Sequence, residues 1–417
     1  MTFKDLKLIE PIQRVLKELD YKHPTDIQAK AIPLVLERND ILGTAQTGTG
    51  KTAAFALPII QLIHNKEIQH GNPVQLRSLI VTPTRELAIQ IDENIKSYGK
   101  YTGIKHTVIF GGVKQHKQVQ RLEKGVHILV ATPGRLLDLI GQGYISLDTV
   151  KLFVLDEADR MLDMGFINDI KKLLKLLPEK KQSLFFSATL PDNILKLSRT
   201  ILKNPRKVET ARVSSAAETI QQYLYYTNKP SKRALLHHIL QDDDIEQVLV
   251  FSRTKHGADR ICRDLKKKNI QAMAIHGDKA QNQRQKALKN FKEKKIRVLV
   301  ATDIAARGID IDKLRHVINF DVPNESETYV HRIGRSGRAG EDGVAISICE
   351  PEENAYVRDI EKLIKKKITV INDHPYPQTD KPMTAAEKKE ANKEKQRRKQ
   401  EWFANRKKKK LKAAKAR

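Results

Sequence analysis

The sequence predicts an α/β protein built as two parallel-sheet domains in tandem, followed by a flexible basic extension. Three observations carry this. Short Val/Ile/Leu runs alternate with helical patterns along 417 residues, a length that suggests two or three domains, each with its own core. The alternation pauses once, at residues 204–219, and positive charge accumulates after residue 380.

In the first half the apolar runs fall at 41–42, 78–81, 108–110, 127–130, 152–155 and 183–186. In the second they fall at 222–226, 248–251, 272–275, 297–300, 316–320 and 344–348. Continuous apolar runs of this length, each followed by polar residues or glycine, suit strands buried on both faces. Strands separated by helices give a parallel sheet, whose ligands bind beyond the strand carboxyl ends. The stretch from Arg206-Lys207-Val208-Glu209 to Glu218 has no clear period, so the linker is expected there. The expected organisation is a first domain over residues 1–207, a linker over 208–218, a second domain over 219–370 and a disordered tail over 371–417. Val130-Ala131-Thr132-Pro133 and Val300-Ala301-Thr302-Asp303 hint that the halves are related.

Composition narrows the function. No run approaches eighteen apolar residues, and the segment after Met1 lacks the apolar stretch of a signal peptide, so a cytoplasmic protein with no membrane contact is expected. Cys262 and Cys349 are the two cysteines, too few for a disulfide framework or a zinc cluster. The formal charge is +27, which makes a polyanion the natural partner. Residues 381–417 hold 16 Lys/Arg against 4 Glu, a net +12. That tail cannot bury enough surface to fold alone. It reads as a non-specific RNA tether, or more plainly as a solvated tail, and residues 385–399 have the composition to turn helical on a ligand.

Two motifs carry the chemistry. Ala45-Gln46-Thr47-Gly48-Thr49-Gly50-Lys51-Thr52 is a glycine-rich turn ending in Lys-Thr, with alanine where the strict phosphate-loop pattern begins with glycine. Such a loop wraps N–H groups around phosphates, places its lysine on the β/γ oxygens and gives its hydroxyl to Mg²⁺. Asp156-Glu157-Ala158-Asp159 comes directly after the run at 152–155. A carboxylate there can hold the same metal, and the next can orient an attacking water. Either motif alone could be a turn or a charged helix start; together they specify hydrolysis of a nucleoside triphosphate. Further on, Asn324 and Glu327 resemble a capping box, placing His331 and Arg335 on one helix face with Arg338 a turn later. Those arginines suit fingers on a γ-phosphate, or a basic helix on nucleic acid.

With these residues in place, the chain resembles the DEAD-box ATP-dependent RNA helicases of superfamily 2, from Phe3 to about Thr369. Tyr21-Lys22-His23-Pro24-Thr25-Asp26-Ile27-Gln28 resembles the adenine-reading Q motif, with Asp20 where the family usually has glycine. The resemblance implies two RecA-like domains using ATP and Mg²⁺. It implies that Phe3, Tyr21, Thr25 and Gln28 take the base, although Phe3 and Tyr21 could equally be core aromatics. Gln46, Thr47, Gly48, Thr49, Gly50, Lys51 and Thr52 would hold phosphates and metal. Asp156 would bind Mg²⁺ through water, Glu157 would be the general base, Asp303 would meet the ribose, and Arg335 and Arg338 would be fingers. Ser187 and Thr189 would bond to the Asp-Glu-Ala-Asp segment, and Asp159 and His331 would link the domains.

The same resemblance assigns RNA contacts to Pro83, Thr84, Arg85, Gly111, Gly112, Thr132, Pro133, Gly134 and Arg135. In the second domain it assigns Arg253, Gly277, Arg284 and Thr302. Such groups meet phosphate and sugar without reading bases, and any one Thr or Arg could instead be a cap or surface charge. The expected activity is local unwinding of short RNA duplexes or remodelling of RNA–protein complexes. The segments Arg253-Thr254-Lys255-His256-Gly257 and His276-Gly277-Asp278-Lys279 suggest the RhlE-like group, implying ribosome assembly or RNA turnover, with ribosomal precursor particles or RNA-degradation proteins met through the tail. The alternatives are an ATP-controlled RNA clamp or annealing chaperone, and a superfamily 2 DNA helicase.

Overall fold

The structure is a computed structural model that describes residues 1–45, 48–209, 220–306, 314–337 and 343–384, with residues 387, 390, 393–394, 397 and 401 of the tail. The first sheet comprises β1 (Ile41–Thr44), β2 (Ser78–Val81), β3 (His106–Ile109), β4 (Ile128–Ala131), β5 (Leu152–Leu155), β6 (Gln182–Ser187) and β7 (Arg206–Glu209). Its order is β3-β4-β2-β5-β6-β1-β7, all parallel. The second comprises β8 (Ile220–Tyr226), β9 (Val248–Phe251), β10 (Ala272–Ile275), β11 (Val298–Ala301), β12 (His316–Asn319), β13 (Gly343–Cys349) and β14 (Thr369–Val370). Its order, β10-β11-β9-β12-β13-β8-β14, repeats the first strand for strand. The related fragments after residues 130 and 300 close equivalent strands, β4 and β11.

Successive strand residues feed two cores, as a pleated strand requires. Ile80, Val154, Leu184 and Phe186 pack on one side of the first sheet, while Leu79, Val81, Phe153 and Phe185 pack on the other. Helices cover both faces, which is why these strands read as unbroken apolar runs. No helix among the described residues is long and apolar enough to cross a membrane.

Three expectations are corrected. Arg206–Glu209 is an edge strand paired with β1 rather than linker, and Val208 is its one buried residue. Residues 210–219, the rest of the expected linker, lie outside the described residues. Residues 371–383 are held on the second domain: Ile371 N–H donates to Leu224 O, Tyr376 packs against that core, and Asn228 Oδ1 accepts from the Thr379 and Asp380 amides. The helix Ser326–Ile333 starts after Glu325 with no side-chain cap, and Arg335 lies past its end.

Candidate nucleotide and nucleic-acid site

The turn after β1 is shaped by glycine. Gly48 and Gly50 have φ of +82° and +89°, a region in which side chains are strained. A Cβ on Gly50 would also stand 2.3 Å from Gln28 Nε2. Gln28 is buried and clasps this turn. Its Nε2 donates to Gly50 O at 3.1 Å and its Oε1 accepts from Thr25 N–H at 2.9 Å. Thr25 Oγ1 donates to Thr49 O at 2.8 Å. One donor hydrogen and one lone pair of the amide remain for a base edge. Phe3 is buried in the first core, while Tyr21 is 40% exposed with its ring 6.1 Å from Phe3, on the rim of an adjoining cavity. Lys51 opens the helix Lys51–Ile63, is itself buried, and donates to Ala45 O at 2.9 Å. Thr52 is the next residue of that helix; Gln46 and Thr47 lie outside the described residues.

The strand β5 carries Asp156 and Glu157 into the same region, both 2% exposed. Asp156 Oδ1 is buried with no hydrogen-bond partner. Burial pushes its carboxyl up to about 6, against the pull of Lys51 and with a push from Glu157. A buried carboxylate oxygen lacking a donor, within the field of Lys51, fits an oxygen-ligated Mg²⁺. Glu157 sits at φ +57° and pairs with Arg160. Sequence reasoning missed Arg160, which carries no signal beyond its place after the motif. Asp159 Oδ2 accepts from Ala188 N–H, Thr189 N–H and Thr189 Oγ1 at 3.0–3.1 Å. That ties Asp159 to its own domain. Thr189 meets the acidic segment as expected, but Ser187 Oγ donates to Thr189 O instead.

A small cavity places Arg160 of the first half beside Asp303, His331, Arg332 and Arg335 of the second. Arg335 is 6% exposed, and Arg338 lies outside the described residues. Asp303, the expected ribose contact, accepts from Arg332 with both oxygens, at 2.6 and 2.8 Å, within the second domain.

A second cavity between the two halves is lined by Pro83, Thr84, Arg85, Thr132, Gly134, Arg135, Gly277 and Arg284, with apolar Met164, Phe166 and Ile304. Gly111 also lines it, and Gly112 has φ +76° with Arg85 Nη1 2.1 Å from where a Cβ would stand. Thr84 caps the helix Arg85–Tyr98 by accepting from Leu87 N–H, and Thr132 and Pro133 begin the helix Pro133–Gly141. Arg284 Nη2 donates to Glu86 Oε2 at 2.9 Å and Gln281 Nε2 to Glu86 Oε1 at 2.9 Å, so the buried Glu86 joins the two halves. Thr302 comes directly after β11. Arg253 is separate: it donates to Val322 O and pairs with Glu353.

Known families and solved structures agree with this geometry. A DEAD/DEAH box helicase family model matches residues 25–197, and a helicase conserved C-terminal domain model matches residues 231–340. A protein named DEAD-box ATP-dependent RNA helicase CshA, from Geobacillus kaustophilus, is 41% identical over 367 residues, covering 88% of this chain and 77% of that protein. The ATP-dependent RNA helicase CshA of Listeria monocytogenes is 43% identical over 368 residues, covering 88% and 69%. Among solved structures, S. cerevisiae Dbp5 bound to RNA and ADP BeF3 superposes with a TM-score of 0.78 at 30% identity, over 89% of this chain and 95% of that one. Mss116p bound to single-stranded RNA and AMP-PNP gives 0.80 at 29% identity, over 93% and 80%.

Proposed function

Because the chain belongs to the DEAD-box ATP-dependent RNA helicases, we propose that RNA and ATP together close the cleft between its two sheets and that hydrolysis reopens it. Lys51 and the loop amides at Gly48, Thr49 and Gly50 grip the phosphates, with Gln46 and Thr47 completing the loop and Tyr21, Thr25 and Gln28 on the base side. Thr52 and Asp156 would hold Mg²⁺, which would supply neutralisation of the triphosphate charge. Glu157 accepts a proton from water as that water bonds to the γ-phosphorus, and the bond to ADP breaks. Arg160 aims the Glu157 carboxylate. Arg335, with Arg338, meets the charge that develops on the transferred group, while Asp159, Thr189 and His331 carry phosphate state to the cleft.

RNA lies along Thr84, Arg85, Gly111, Gly112, Thr132, Gly134 and Arg135, and continues to Gly277 and Thr302. These are backbone contacts, so binding is independent of sequence. Closure bends one strand, and its complement leaves. Arg284 lines this surface while paired with Glu86, and Arg253, paired with Glu353, meets RNA further along the second half. The chain works in the cytoplasm, in ribosome assembly or RNA turnover, with its basic tail holding RNA or a protein of those pathways. The RhlE-like subgroup rests on the segments around Arg253 and His276 alone; the two bacterial relatives carry the CshA name and lend it no support.

The observation that carries this reading is the cavity that sets Arg160, partner of Glu157, beside Arg335 of the other half. It is tested by steady-state ATPase without nucleic acid, with single-stranded RNA and with matched DNA. Strong stimulation by RNA alone is expected. Equal stimulation by DNA would favour a DNA helicase, and stimulation by neither would overturn the coupling.

A further inference from the structure

The strand β11 delivers consecutive residues to two sides of the cleft wall. Thr302 comes next in the chain, and Asp303 opens the four-residue helix Asp303–Ala306. Ile304, 58% exposed, lines the cavity assigned to RNA, whereas Asp303 and Ala306 line the cavity that contains Arg335. This single helical turn is the partition between them.

One ion pair ties the partition to the finger. Arg332 Nε donates to Asp303 Oδ1 at 2.6 Å and Nη2 to Oδ2 at 2.8 Å, a two-pronged geometry that fixes orientation as well as distance. Arg332 also donates through Nη1 to Asn319 Oδ1 and Asp321 O, and its guanidinium lies 5.0 Å from the Phe251 ring centre. Arg332 is 2% exposed, while Asp303 keeps part of its side chain open to solvent. Arg335 stands less than one turn further on, its N–H bonded to Arg332 O at 3.1 Å.

We propose that the Asp303–Arg332 pair is the link by which RNA against Thr302 and Ile304 sets the position of Arg335 over ATP. Both members are then positioning residues rather than ligands. The inference rests on the assignment of one cavity to RNA and the other to the triphosphate. A strand pressing on Ile304 cannot move the short helix without moving Arg332, because the fork leaves the pair little freedom to slide. Coupling of this kind needs a contiguous physical connection between the sites, and here it is one contact long.

The test uses the full-length chain and measures single-stranded RNA affinity with and without a non-hydrolysable ATP analogue, beside the KM for ATP. In the unaltered protein the analogue should tighten RNA binding by a factor in the ordinary allosteric range, roughly 5- to 150-fold. Asp303→Asn should cut that factor about fivefold or more, while RNA affinity without nucleotide and ATP affinity without RNA stay within about twofold. Arg332→Lys, which keeps the charge and loses the fork, should do the same, and Asp303→Glu should restore most of the coupling. Loss of all affinities together with a fall in melting temperature would overturn the inference in favour of simple structural support. So would an Asp303→Asn effect on KM for ATP that vanishes with 2′-deoxy-ATP, which would return Asp303 to the ribose. Unchanged coupling in both Asp303→Asn and Arg332→Lys would overturn the inference while leaving the proposed function intact. Absence of coupling in the unaltered protein would overturn both.

Discussion

Lys51 and Lys232 hold the same place in the two halves of this molecule. Each starts the helix that comes after a topologically equivalent strand, β1 or β8. Each is buried, and each looks toward an aspartate just past the equivalent strands β5 and β12. Around Lys51 the glycine turn leaves room, and its ammonium bonds to the loop's own Ala45 carbonyl. Around Lys232 there is no such turn. Its ammonium lies 2.9 Å from Glu353 Oε2 and 3.3 Å from Asp321 Oδ1, with the Phe320 ring 5.2 Å away. Glu353 is 1% exposed; burial raises its pKa, and Lys232 is the main counterweight. One lysine awaits an anion from outside, and the other has an anion built in. The same architecture thus gives a ligand site where glycine keeps the anion position open, and a staple where a glutamate fills it.

The largest effect should come from the residue that the second half lends to the first. Arg335→Ala should lower RNA-stimulated kcat by about a thousandfold or more, with ATP affinity in the absence of RNA little changed. Pre-steady-state phosphate release at saturating RNA measures this. A kcat within tenfold of normal would mean that Arg335 is not a finger.

The two lysines should then separate cleanly. Lys232→Ala removes one of the two cations paired with buried Glu353, Arg253 being the other, and should cost on the order of 3 kcal/mol. That appears as a drop in the melting temperature, while the chain that remains folded keeps its KM for ATP. Lys51→Ala should leave the melting temperature nearly unchanged and abolish turnover. Thermal unfolding beside ATPase assays distinguishes them, and matching phenotypes would erase the contrast.

A smaller effect should come from Asp156. Its carboxyl stands at about 6 in the fold against an ordinary 3.8, mainly because it is buried. The folded state therefore holds the proton more tightly than the unfolded chain. The contribution from this group is fully present below about pH 4 and is lost as pH rises through about 6. Asp156→Asn should raise the nucleotide-free stability at pH 7 by on the order of 1–3 kcal/mol, an advantage that shrinks toward pH 4. Melting curves across that range check it, and a variant less stable at pH 7 would contradict the burial argument.

What the sequence revealed was local. The glycine turn and the acidic segment each lie within a few residues beside an apolar run, so chemistry and strand can be read together. Two of the four edge strands, β7 and β14, escape notice because they have little apolar pattern: Val208 is the one buried residue of β7, and both residues of β14 are exposed. The connections escape for a different reason. Glu86 meets Arg284 across 198 positions, and Asp303 meets Arg332 across 29. No periodicity reports such pairings. Asp303 reads as a ribose ligand because its neighbours match a motif, whereas its carboxylate is held by a partner that only the fold brings near.

The most direct measurement is the stoichiometry of ATP-analogue binding, by calorimetry on the full-length chain with Mg²⁺ present, for the unaltered protein and for Lys51→Ala. One site per chain, lost in Lys51→Ala, is the result that two equivalent lysine positions with one open and one filled must give. A second site, or binding that survives Lys51→Ala undiminished, would show that the half containing Lys232 also takes nucleotide and would contradict the account.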